Sequence, residues 1–387
     1  MKIVIVPSWY PTENNPLNGI FFKEQAKALQ KAGHDVTVLY PEVWTTRMFK
    51  ASKGKKGVLI THEDGVKTYR LRGYNLIPGR VPFATAIVFY SRLEALYRLY
   101  VETEGKPDML HAHSCLWAGW SVSKLSEKEG IPFVITEHST AFLRNLIRPY
   151  EKKEITYACQ KAEYIISVGP GLAKELENYV TKDKIKIIPN IVDIGMFQID
   201  ESKLSQSGIF RFFTVAFLQH KKGMDILIQA FAKYFKGKPV ELVIGGNGGE
   251  REALEFLAKK LSVEKQITFL GELNRERVKE EIQKAHAFVL ASRFETFGVV
   301  FIEALACGKP IVATACGGPE MIVNEINGKL VHVEDIDGLG QAMQYIQENY
   351  HAYDAEYIRN DCVSRFSEES VVTRITKLYK QVFEGAR

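Results

Sequence analysis

Short, almost wholly apolar runs alternate with helix-like stretches along most of this chain, and few folds tolerate that alternation. Lys2–Pro7, Val36–Tyr40, Met109–Ala112, Pro132–Thr136, Tyr164–Val168 and Ile185–Pro189 read as strands in the first half. Phe210–Val215, Val240–Ile244, Ile267–Leu270, Ala287–Ala291 and Ile311–Ala313 read so in the second. A strand apolar on both faces belongs in the middle of a parallel sheet, where helices cover both sides. The stretches between the runs have helical spacing. Phe22, Ala26, Leu29 and Ala32 share one face before Gly33, and Leu227, Ile228 and Phe231 share one face of 224–235. Parallel neighbours need a crossover between them, and helices of this length supply it. The expectation is an α/β protein with two doubly wound, Rossmann-like sheets.

The chain's 387 residues suit two domains. The polar stretch Asp200–Gly208 reads as a linker, which puts the domains at 1–198 and 209–366. The run 367–383 carries Val371, Val372, Ile375, Leu378, Tyr379 and Val382 on helical spacing, so it must bury a face. The five cysteines form no CxxC pair and read as buried thiols of a reducing compartment. The opening KIVIVPSWYP enters a strand pattern directly, unlike a leader, and no apolar run is long enough to span a bilayer. A cytoplasmic location is expected.

Residues 1–195 hold 27 Lys and Arg against 20 Asp and Glu, so the small positive excess lies in the first half. Arg47, Lys50, Lys53, Lys55 and Lys56 concentrate it. Such a cluster fits an anionic membrane surface or acceptor, or a solvated loop. No nucleic-acid partner is expected.

Ligands of doubly wound sheets bind beyond the carboxyl ends of the strands. The chemistry-bearing residues fall there. In Ser292–Pro310, which follows the strand Ala287–Ala291, a helix opens near Gly298, and its free N–H groups around Phe297, Gly298 and Val299 suit a diphosphate. Glu295 precedes that helix. Glu303 lies within it beside Phe301, Ile302, Ala304 and Leu305, and a carboxylate in such company needs a partner. A ribose diol is the favoured candidate; the alternative is that Glu295 caps the helix and Glu303 pairs with a nearby lysine. Lys222, with Lys221 as competitor, precedes Gly223 in another loop after a strand. His111 and His113 end a strand, with His113 favoured to meet a sugar hydroxyl. Gly19 permits close backbone approach. Glu137 and His138 follow another strand and are candidates for the acceptor side. Gly245–Gly249 lacks the dinucleotide spacing, and Asp335-Ile-Asp337 reads as a helix cap rather than a metal site. No metal or other cofactor is expected.

Glu295, seven residues, Glu303 and then Ala304-Leu-Ala-Cys-Gly-Lys-Pro-Ile-Val resembles the signature of retaining nucleotide-sugar glycosyltransferases of the GT-B fold, in which two Rossmann-like domains face a central cleft. Gly317-Gly-Pro-Glu320, Asn327-Gly328, the Lys222-Gly223 segment, the His-x-His at 111–113, the loop around Gly19 and the Ile188–Asp193 stretch with Asn190 are also similar to that family. The resemblance implies that Lys222 and Lys221 meet the diphosphate, Glu303 the ribose, and Glu295 and His113 the sugar. Gly19, Asn190, Phe297, Gly298 and Val299 would complete the donor site. It also implies that the first domain takes the acceptor and that the helix of about 367–387 docks back on it. One departure stands out: Phe217 occupies a position where many members carry arginine.

The implied activity is metal-independent transfer, with retention, of a sugar from a UDP-, GDP- or ADP-sugar to a saccharide or lipid-linked acceptor in polysaccharide or glycoconjugate synthesis, at the inner membrane face or in the cytoplasm. A nucleotide-sugar epimerase on the same fold, or a non-catalytic nucleotide-sugar-binding module, are the alternatives.

Overall fold

The computed structural model describes residues 1–13, 15, 18–44, 55–77, 81, 83–204 and 208–385. Arg47, Lys50 and Lys53 of the basic cluster, part of the loop before Gly19 and part of the 200–208 stretch lie outside them. The chain forms two compact units. One comprises Met1–Val168, Leu172–Ile191 and Val371–Arg387, the other Gly169–Gly171 and Val192–Ser370.

The first unit is built on eight strands: β1 (Lys2–Pro7), β2 (Asp35–Trp44), β3 (Gly57–Glu63), β4 (Val66–Tyr74), β5 (Met109–His113), β6 (Phe133–Glu137), β7 (Tyr164–Ser167) and β8 (Ile185–Ile187). Their order is β3-β4-β2-β1-β5-β6-β7-β8, so the winding reverses between β1 and β5. All pairs are parallel except β3 with β4. The helices are α1 (Ile20–Lys31), α2 (Ala84–Glu104), α3 (Trp120–Glu129), α4 (Pro149–Lys161) and α5 (Pro170–Leu176).

The β3–β4 hairpin is absent from the strand–helix reading above, although its turn is legible. Asp64 and Gly65 both have positive φ, at 52° and 88°, as a two-residue hairpin of right-handed twist requires. The helix α3 begins only at Trp120, seven residues after β5 ends. A distorted turn, Cys115–Gly119, precedes it.

The second unit carries β9 (Phe210–Val215), β10 (Val240–Gly245), β11 (Ile267–Gly271), β12 (Ala287–Leu290), β13 (Ile311–Thr314) and β14 (Gly328–Val331), in the order β11-β10-β9-β12-β13-β14 and parallel throughout. Winding runs outward from β9 through β11, then restarts at β12 on the other side of β9. The helices are α6 (Met224–Phe235), α7 (Arg251–Lys260), α8 (Arg275–Lys284), α9 (Val299–Ala306), α10 (Ile336–Glu348) and α11 (Ala355–Phe366). The charged helices α8 and α11 are further additions to the sequence reading. Asp335 caps α10, its carboxylate accepting from the Gly338 N–H at 2.7 Å.

The C-terminal helix Glu368–Gly385 buries Val371, Val372, Ile375, Leu378, Tyr379 and Val382 in the first unit's core, against Ile3, Ile5, Phe22, Leu29 and Val36. Polar ties also hold it. The Tyr379 hydroxyl meets Nδ1 of the buried His111 at 2.6 Å, and Thr376 Oγ1 meets His34 Nε2 at 2.9 Å. A buried polar atom deprived of its partner costs about 1–3 kcal/mol. Tyr379→Phe is therefore expected to lower unfolding free energy by about that much, read as a lower urea midpoint with an unchanged slope.

Candidate functional site

The second sheet's reversal point lies between β9 and β12, and the loops that leave those two strands are 216–223 and 291–298. A crevice at such a point is where doubly wound sheets take their ligands. Gly223 joins the two loops. It has φ +61°, and a Cβ on it would lie 1.9 Å from the Ala291 carbonyl oxygen, so only glycine lets the backbones approach this closely. The contact is extended by the Arg293 N–H, which donates to the Lys221 carbonyl at 2.8 Å.

These contacts put Lys222 beside Glu295. The ammonium donates to Glu295 Oε1, which Ser292 Oγ also reaches at 3.1 Å. Both side chains are mostly buried, at 17% and 8% exposed. Glu295 thus serves as a positioning group for the lysine rather than as the helix cap. Gly298 occupies the cap position in the left-handed region, φ 98° and ψ 69°, and α9 starts at Val299. Phe297 is buried against Phe366, with ring centroids 5.8 Å apart. Gly318 lies on its backbone so closely that a Cβ would come within 2.5 Å of Phe297 Cα. The first N–H groups of α9 have no carbonyl a turn earlier to bond to, and the helix dipole adds positive potential there.

Glu303 is 9% exposed on α9, and its partner is Arg275 at the start of α8, with Nη2 3.6 Å from Oε1. The sequence offered a ribose or a lysine for this carboxylate; Arg275 escaped notice because nothing in a linear reading places α8 next to α9. Arg293 escaped notice too. It is 9% exposed and bonds both Asp225 oxygens at 2.8 Å, the His220 carbonyl at 2.7 Å, and Glu334. Burial raises the Asp225 carboxyl, but the Arg293 bonds and charge outweigh it and hold it below the usual range. Arg293 thus ties the lysine loop, α6 and the β14–α10 connection together. Lys221 contributes its carbonyl to this network. Phe217 is 64% exposed. The Gly245–Gly249 loop is a brace: Cβ atoms on Gly246 and Gly248 would lie 1.9 Å and 2.3 Å from the Ala216 and Leu218 carbonyl oxygens.

The remaining candidates lie in the first unit. Gly19, φ 75°, opens α1 and sits on Trp9, where a Cβ would come 2.9 Å from the carbonyl oxygen. Asn190 is buried just beyond β8. His113 was expected to face a sugar, but it is fully buried and stacked between His111 and His138, with centroids 4.4 Å and 5.5 Å away and Phe22 alongside. Its Nδ1 meets His138 Nε2 at 3.2 Å, and Nε2 has no hydrogen-bond partner among the described residues. Glu137, expected on the acceptor side, is fully buried and has another task. Its carboxylate accepts from the N–H groups of Cys115, His138 and Ser139 at 2.7–2.8 Å and from Ser114 Oγ at 3.3 Å. It thereby holds the turn that leaves β5.

Two predictions follow from this geometry. Gly223→Ala should destabilise the second unit and weaken any ligand that depends on Lys222, seen as a lower melting temperature and lost ligand response. The histidine stack makes stability pH-dependent. Burial keeps His111, His113 and His138 neutral, with His111 lowered to about 3. The unfolded chain takes up protons below about pH 6.5 and the folded chain does not. Their contribution is therefore intact above that pH and lost as pH falls from it toward the folded values, and denaturation curves between pH 7.5 and 4.5 should show the decline.

Comparison with known proteins gives this geometry a context. Residues 197–361 match the family model of glycosyl transferases group 1, and residues 19–195 that of glycosyltransferase family 4. The chain is 26% identical, over 99% of both lengths, to an uncharacterized glycosyltransferase of Methanocaldococcus jannaschii. Among solved structures it is similar to sucrose-phosphate synthase from Thermosynechococcus elongatus, with a TM-score of 0.81, 20% identity and full coverage of both chains. It is also similar to Anabaena HepE in complex with UDP, with a TM-score of 0.75 and 19% identity over 98% of this chain and 100% of that one. With both of its sheets matched by these models and its fold that of GT-B enzymes, the chain belongs to the group 1 glycosyltransferases.

Proposed function

We propose that this glycosyltransferase takes its sugar from a nucleotide-diphosphate sugar, transfers it with retention of anomeric configuration and needs no metal. The observation that carries this reading is the pairing of Lys222 with Glu295, in the loop that leads into α9, at the reversal point of the second sheet. As the bond from anomeric carbon to phosphate oxygen breaks, the departing nucleoside diphosphate gains charge. Lys222 and the N–H groups of Phe297, Gly298 and Val299 would take up that charge in place of a metal ion. Glu295 keeps the ammonium pointed at the site and would share it with the arriving diphosphate. Glu303 would bind the ribose hydroxyls, steadied by Arg275.

Arg293 is already committed to Asp225 and Glu334, so Lys222 is the principal phosphate cation of this reading, with Lys221 beside it. The bound UDP of HepE supports a nucleotide donor by analogy. Retention rests on the signature around Glu295 and Glu303, with the acceptor attacking from the face the diphosphate leaves. The acceptor is a saccharide or a lipid-linked saccharide of polysaccharide or glycoconjugate synthesis. Among the described residues no helix is long and apolar enough to cross a membrane. Attachment at a cytoplasmic membrane face would run through the basic residues near Lys55 and Lys56.

Thermal-shift screening with UDP-, GDP- and ADP-sugars should find one donor class that stabilises the protein. Lys222→Ala and Glu303→Ala should each weaken that donor ten-fold or more, about 1.4 kcal/mol. Unchanged binding in both would remove the assignment. Nucleoside diphosphate should be released only with an acceptor extract, should persist in EDTA, and should accompany a product whose anomeric proton coupling matches the donor's. Release without any acceptor would favour the epimerase or a simple hydrolase.

A further inference from the structure

The first sheet ends in two edge strands of opposite character. At one edge β8 has only three residues, with Lys186 in the middle and Lys182 and Lys184 just before it. Short length and lysine are common guards against pairing with another chain. The other edge, β3, has seven residues and a different make-up. Its middle is Val58-Leu59-Ile60, and all three side chains are exposed, at 52%, 37% and 44%. Successive side chains of a strand point to opposite faces, so apolar groups line both faces of this edge.

The hairpin fixes which peptide groups are turned outward. Its turn, Asp64-Gly65, has two residues, so Glu63 and Val66 close it as a hydrogen-bonded pair, and every second residue repeats that bonding. The N–H and C=O groups of Gly57, Leu59, Thr61 and Glu63 therefore face β4. Those of Val58, Ile60 and His62 face outward, where no backbone group bonds them among the described residues.

The strand is complementary to itself. An antiparallel copy related by a two-fold axis through Ile60 sets Ile60 against Ile60 and Val58 against His62. The outward peptide groups of each chain then meet those of the other in bonding parity. The same centre sets Lys56 against Asp64. Lys56 is exposed, with its ammonium 4.8 Å above the Tyr74 ring, and Asp64 is exposed, with Lys23 3.0 Å from its carboxylate. Glu63, by contrast, is already held by Arg70. Opposite charges thus flank an apolar centre in the order that antiparallel pairing with a second copy rewards and parallel pairing would oppose. An anionic lipid surface would instead meet Glu63 and Asp64 with its own negative charge.

We propose that a second copy of this chain docks on β3, joining two eight-stranded sheets into one continuous sheet about a two-fold axis at Ile60. Each copy spends the same edge on the other, so the assembly closes as a dimer. A single strand pair lies at the small end of interface sizes, so the dimer is reversible and forms at micromolar concentrations.

Sedimentation velocity of the full-length protein across the micromolar range tests this. A reversible monomer–dimer equilibrium is expected. Ile60→Lys, which sets two ammonium groups against each other at the axis, should weaken it ten-fold or more. Ile60→Pro should do the same, because the lost N–H faces outward and an edge strand tolerates proline there. Unchanged melting temperatures certify that both variants are folded. Cross-linking reads the register. Across a hydrogen-bonded pair the two Cα atoms lie about 5.5 Å apart, within disulfide reach, so Ile60→Cys should give a covalent dimer under a mild oxidant. Val58→Cys, equally exposed, should not, since its two copies would lie about 14 Å apart along the strands. Should either Ile60 variant fail to fold, the two cysteine variants decide. A monomer throughout the micromolar range, a dimer that survives in both folded Ile60 variants, or cross-linking of Val58→Cys as readily as Ile60→Cys overturns the proposal.

Discussion

The approach of Gly223 to the Ala291 carbonyl oxygen is the constraint on which the second unit's chemistry depends. A side chain at this position would collide at 1.9 Å, and its positive φ is one that glycine adopts freely. With the two loops this close, Lys222 comes within reach of Glu295, and Arg293 can bridge the lysine loop to Asp225 and Glu334. An ion pair that is mostly out of water is sensitive to geometry, because each charge was removed from solvent in expectation of the other. The backbone approach thus fixes the Lys222–Glu295 pair.

The first unit uses buried polar groups in another way. Glu137 and Ser8 donate and accept around the turn that follows β5, and they hold two non-glycine residues at positive φ. Below that turn His111, His113 and His138 form a neutral stack, which Tyr379 of the C-terminal helix joins. The histidine segment that looked like sugar-facing chemistry in the sequence is thus part of the support beneath a loop, and the exposed aromatic it supports is Trp117.

Both sheets reverse their winding once, and each reversal point collects loops from strands distant in sequence. The second gathers lysine, arginine and a helix N-terminus, which suit phosphate. The first gathers tryptophans, asparagines and threonines among the described residues. The two linings differ because the loops, not the sheets, supply the side chains.

Strand and helix alternation made the α/β class, most strand positions and the Glu295–Glu303 segment readable from the chain alone, since periodicity and cap glycines are local properties. Lys222 was legible too, through its neighbouring Gly223. The β3–β4 hairpin left only an Asp-Gly signal, and the polar helices α8 and α11 left little apolar periodicity. Arg275 beside Glu303, Arg293 across Asp225 and the clamp of Glu137 have no linear signature. They join residues from separate crossovers, and which crossovers become neighbours follows from strand order. Local sequence thus determined the elements and the loops that carry Lys222 and Glu295. Only the packed sheets decided which side chains meet, because a hydrogen bond or an ion pair depends on distance in space and not on separation along the chain.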